Sequence, residues 1–91
     1  MTSETGITVR YWAAAKAATG VGEESLPATS AITLAELVAR VQEAHGSPRL
    51  GDVIAVCSVL IDEQPVGTRA PGEVQVGPGQ TVDFLPPFAG G

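Results

Sequence analysis

The chain has 91 residues, 44% hydrophobic and 4% aromatic, with 10 acidic and 5 basic side chains and a formal net charge of −5. That length suits one domain with a single modest core and excludes two lobes enclosing a catalytic cleft. An acidic chain without a Lys/Arg cluster argues against nucleic acid and membrane as partners. Tyr11, Trp12, Phe84 and Phe88 lack the repeated basic interleaving of a base-stacking platform. One cysteine, Cys57, precludes an internal disulfide, and one histidine leaves too few ligands for a transition metal, so no metal is expected. The apolar runs fall far short of a membrane span, and Met1-Thr2-Ser3-Glu4-Thr5 lacks the basic start of a secretion signal. A cytoplasmic location is expected.

Residues 1–6 are polar and read as a disordered leader. From Ile7 to Trp12 the pattern alternates, with Ile7, Val9 and Tyr11 on one face, which predicts a strand with one side on the core. The alanine-rich stretch Ala13 to Thr19, stopped by Gly20, predicts one or two helical turns. A short second strand is expected within Gly22 to Pro27.

The best-defined element is a helix from about Thr33 to His45. Thr33 and Glu36 form a capping box, in which each side chain satisfies a free backbone N–H of the first turn. Leu34, Leu37, Val38 and Val41 make one apolar stripe, Gly46 suits the C-terminal cap, and Pro48 reads as a stop. Ile54 to Ile61 is apolar apart from Ser58 and rich in β-branched residues, so it reads as a well-buried strand. Asp62-Glu63-Gln64 suits a turn and Pro65-Val66 a short return strand. Glycines and prolines punctuate residues 67–80, with one short strand expected at Glu73 to Val76. Thr81 to Leu85 is the last strand, halted by Pro86-Pro87.

One main helix packed on one face of a small mixed sheet is the economical two-layer solution for this order. It predicts an α+β, β-grasp (ubiquitin-like) domain over residues 7–87, with the first and last strands parallel and central. Residues 88–91 then form a flexible tail leaving a rigid strand.

That tail ends in Gly90-Gly91. A carboxylate reacts only after conversion to a mixed anhydride, and its carbonyl must then be approached closely. Glycine has no Cβ to block the approach and threads a narrow channel. Pro86 and Pro87 lack N–H donors and stiffen the exit. A stiff stem with a bare tip suits a carboxylate delivered into another protein's active site.

Three stretches carry a family resemblance: Ile7 to Ala15, Val59-Leu60-Ile61-Asp62, and Val82-Asp83-Phe84-Leu85-Pro86-Pro87-Phe88-Ala89-Gly90-Gly91. Together they resemble the small sulfur-carrier subunit of molybdopterin synthase, within the prokaryotic ubiquitin-like sulfur carriers that include the thiamine carrier. The turn Gly77-Pro78-Gly79-Gln80 departs from the Gly-Asp type common there. The resemblance implies that a separate ubiquitin-activating-like enzyme adenylates the Gly91 carboxylate with ATP. A sulfur donor then converts it to a thiocarboxylate. The tail would enter the large subunit of molybdopterin synthase, with Gly90 giving clearance and Ala89 and Phe88 lining the channel. The chain would be no enzyme on its own and would bind no cofactor. Phe84, Pro86 and Pro87 are candidate interface residues. The alternatives are a carrier serving thiamine or cysteine biosynthesis, a ubiquitin-like modifier, and an interaction module with an idle tail.

Other reactive groups read as structural. Cys57 lies in the apolar run without a neighbouring cation and is expected to be a buried, inert thiol. His45 complements the dipole in the last helical turn. Asp62 and Glu63 are solvated turn residues, and Lys16 is exposed.

Overall fold

The computed structural model describes residues 6–87. Strand β1 (Gly6–Tyr11) leads into helix α1 (Ala13–Thr19), β2 (Glu23–Pro27), β3 (Ile32–Thr33) and helix α2 (Leu34–His45). Helix α3 (Pro48–Ala55), β4 (Ser58–Ile61), β5 (Gln64–Pro65), β6 (Gln75–Val76) and β7 (Thr81–Leu85) follow, with a 3-10 turn at Pro71–Glu73. Five strands form one mixed sheet in the order β2-β1-β7-β4-β5, while β3 and β6 pair separately. The central pair β1–β7 is parallel, and β2 and β4 flank it antiparallel. This is the expected α+β, β-grasp arrangement.

The alternation seen in the sequence places Ile7, Val9, Tyr11, Val82 and Phe84 on the inner face beneath α2, all buried. Leu34, Leu37 and Val41 of α2 meet them. Thr33 caps α2 by accepting from the Glu36 N–H at 3.1 Å, and Gly46 ends it in a left-handed conformation at φ 64°. Glu36 turns to Arg40 instead of completing the reciprocal half of the box. The stop at Gly20, φ 82°, also stands where the sequence places it.

Three expectations are corrected. Gly6, placed in the leader on sequence, begins β1. The run Ile54 to Ile61 is not one strand: Ile54 is a buried residue of α3, and β4 starts only at Ser58. Pro48 ends nothing further along; it occupies the first turn of α3, where a missing N–H has no partner to lose and the fixed φ suits a helix. The pairing of Ile32–Thr33 with Gln75–Val76 is an addition that two-residue strands do not announce.

Candidate functional site: the tail exit

Strand β7 is hydrogen-bonded on both flanks, to β1 from Thr8 to Tyr11 and to β4 from Ser58 to Ile61. Its direction is therefore fixed through Leu85. Pro86 is buried and Pro87 exposed, so the chain leaves the packed body between them. Helices α1 and α3 pack against each other beside this point. Between them and the prolines lies a cleft of about 420 Å³ bordered by Ala14, Arg49, Asp52, Val53 and Val56. Val56 is 61% exposed, a large apolar side chain offered to solvent at the exit.

The outward face of the sheet carries a polar tie three residues before the first of the two prolines. Parallel register sets Arg10 opposite Asp83. The Arg10 guanidinium donates to Asp83 through Nε at 2.7 Å and Nη2 at 3.0 Å, and Trp12 Nε1 donates to the same carboxylate at 2.9 Å. These two side chains cover Asp83, which is only 2% exposed although it faces away from α2. Burial by itself would raise its carboxyl, but the hydrogen bonds from Arg10 and Trp12 and the Arg10 charge hold it below the ordinary value. Trp12 caps the tie: it is 46% exposed, with the Arg10 guanidinium carbon 5.9 Å from its ring centre.

On the inner face, Tyr11 stacks on Phe84 at 6.1 Å and meets His45 edge-on at 5.8 Å. The Tyr11 hydroxyl donates to Glu24, and His45 Nε2 bonds the same Glu24 oxygen at 2.6 Å. Burial first, then the Glu24 bond and charge, push the Tyr11 hydroxyl up. His45 thus joins the end of α2 to β2, beyond the dipole role read from its position.

Phe84, a candidate interface residue on sequence, is 0% exposed and belongs to the core, because alternation turns it inward beneath α2. Pro86 and Pro87 do stand at the exit. Phe88, Ala89, Gly90 and Gly91 lie outside the described residues. Cys57 sits in the α3–β4 connection and not within a strand. It is half-buried, its thiol donates to the Val53 carbonyl at 3.2 Å, and burial pushes it up to about 11.

Asp62 and Glu63 form the β4–β5 turn in left-handed backbone, φ 50° and 69°. Asp62 is more than a solvated turn residue: it accepts from the Thr81 N–H and the Gln80 amide, both at 3.0 Å, and these bonds hold its carboxyl low. Lys16 is exposed. Sequence reasoning missed the Arg10–Asp83–Trp12 tie. Its signal was the outward parity of Arg10 and Asp83, usable only once the parallel register is known. Among the described residues there is no cluster of three or more His, Cys, Asp or Glu that could hold a metal, and no helix long and apolar enough to cross a membrane.

No curated protein sequence matches the chain. Solved structures do. A putative molybdopterin converting factor subunit 1 from Pyrococcus furiosus superposes with a TM-score of 0.74 at 16% identity, covering 92% of this chain and 99% of its own. SAMP1 from Haloferax volcanii gives 0.76 at 17% identity, covering 94% and 99%. A chain from the complex of subunits 1 and 2 of molybdopterin-converting factor from Helicobacter pylori gives 0.63 at 21%, also covering 94% and 99%. At these identities the likeness concerns the fold. The family pattern reaches further, matching residues 9–91 and thus the tail with its two glycines. The chain belongs to the ThiS family.

Proposed function

We propose that the chain is a sulfur carrier for molybdopterin biosynthesis, with the Gly91 carboxylate as its reacting group. The observation that carries this reading is the exit itself: a central strand pinned on both flanks leads to Pro86 and the exposed Pro87, shortly before the Gly-Gly end of the sequence. The family match through Gly91 supports it.

In this reading an activating enzyme joins the Gly91 carboxylate to the α-phosphorus of ATP and releases pyrophosphate. A sulfide-level nucleophile, hydrosulfide, then attacks the acyl carbon, AMP departs with the anhydride oxygen and the S–H proton is released, leaving a thiocarboxylate. The partner enzymes supply the acid–base chemistry. This chain supplies reach, the bare glycine tip and a fixed stem. The branch rests on the Phe84-Leu85-Pro86-Pro87 exit and on the structural likeness to subunit 1 of molybdopterin-converting factors. The likeness to the complex of subunits 1 and 2 supports a large-subunit partner that receives the tail.

Incubation with ATP, the cognate activating enzyme and a sulfur donor tests the chemistry. Intact mass should show exchange of one oxygen for sulfur, mapping to Gly91. Equal modification of a chain cut after Ala89 refutes it. Likeness to SAMP1, a small archaeal modifier protein, favours protein conjugation as a second reading. That reading predicts higher-mass conjugates dependent on Gly91 in place of the free thiocarboxylate.

A further inference from the structure

A second cavity, of about 600 Å³, lies on the helix side of the sheet, away from the exit cleft. Its cause is the shortness of β5: with only two residues there, the sheet stops early on this flank. Val38 of α2 and Val59 of β4 are consequently only partly covered, and Ile54 and Phe84 border the same space. The volume falls in the range of small-molecule sites, and the lining is mainly apolar.

The charge around it is unlike that of the rest of the chain. Among the described residues no carboxylate borders the cavity, although the chain carries 10 acidic residues, and Arg69 is the one charged side chain along it. Arg69 Nε donates to the Val66 carbonyl at 3.2 Å, which holds the stem over the loop after β5. Its guanidinium enters no ion pair among the described residues. An apolar trough with one cation at its edge is complementary to a molecule with an apolar body and one carboxylate, which a guanidinium grips through two parallel bonds.

We infer that this cavity binds a small amphipathic carboxylate, its acyl or aryl body between α2, α3 and β4 and its carboxylate on Arg69. A peptide fits less well. Its amides would be buried against apolar side chains without partners, and β5 offers only a two-residue edge to pair with. An acyl chain buries no such groups.

Backbone amide chemical shifts of the full chain, titrated with decanoate below its micelle concentration, test this. Decanol and decyltrimethylammonium serve as matched probes. Decanoate should give saturable shifts at Val38, Ile54, Val59 and Arg69. Arg69→Gln should weaken it about tenfold, the effect of losing a charge-assisted contact, and leave decanol unchanged. Ala35→Trp, at an exposed position on the cavity rim, should block both. Because Arg69→Gln leaves every core contact in place, it reads the site even if Ala35→Trp fails to fold. Equal binding of all three probes, absence of saturation, or shifts centred on Trp12 overturns the inference. Tighter binding of an acidic, apolar hexapeptide than of decanoate overturns the choice of occupant. None of these readouts involves Gly91, so this inference and the sulfur-carrier reading fail independently.

Discussion

Replacing Asp83 with alanine removes the acceptor of three hydrogen bonds at once, two from Arg10 and one from Trp12. Bonds to a charged group are each worth about 1.5–3 kcal/mol where water is excluded. They are not additive here, because Arg10 and Trp12 are both partly exposed and regain water when Asp83 is lost. A net loss of about 2 kcal/mol is the expected value. For a domain of this size that is a sizeable share of a total of about 5–10 kcal/mol, and it lowers the melting temperature by roughly 8–16 °C.

The pH dependence separates this from simple loss of packing. The folded carboxyl lies below its ordinary value. Its contribution is therefore complete above the unfolded value, near pH 4, and disappears as pH falls through the folded one. Urea midpoints of the native chain and Asp83→Ala should differ fully from about pH 7 down to about pH 5, and the difference should start to shrink only as pH falls below about 4. A difference under about 0.5 kcal/mol at neutral pH, or one that persists unchanged in acid, refutes the reasoning.

Two further outcomes follow from the inner face and the α3–β4 connection. Tyr11→Phe removes the hydroxyl bond to Glu24 and should cost about 1 kcal/mol at neutral pH in urea unfolding. Since the Tyr11 hydroxyl is raised in the folded chain, the native protein should also lose stability as pH rises beyond about 10, and the variant should lack that component. Cys57, held as a thiol up to about 11 and bonded to the Val53 carbonyl, should react with a disulfide reagent far more slowly near neutral pH in the folded chain than in urea. Equal rates in both states would refute both the shielding of the thiol and its raised pKa.

Much of this fold is legible in residue order because local signals agree. Thr33, the Leu34–Val41 stripe and Gly46 specify α2 by cap, periodicity and stop, and each stands where expected. The alternation from Ile7 and from Thr81 places two inward faces correctly, and the parallel centre follows from the element order. The error at Ile54 has a physical source. An apolar run carries no period of its own, and Pro48 serves equally as a stop for one helix and as the opening turn of the next. Sequence alone leaves Phe84 a candidate interface residue because parity assigns it a face but does not say which face α2 covers; the structure places it in the core. The Arg10–Asp83 tie lay 73 residues apart and needed the β1–β7 register to be seen.

The double pairing of β7 has a mechanical side. Under the proposed function, a partner drawing on the tail would pull along β7, and both ladders would resist in shear, with many hydrogen bonds loaded together and none peeled in sequence. Such tension would be borne by the centre of the sheet, where β7 lies between β1 and β4.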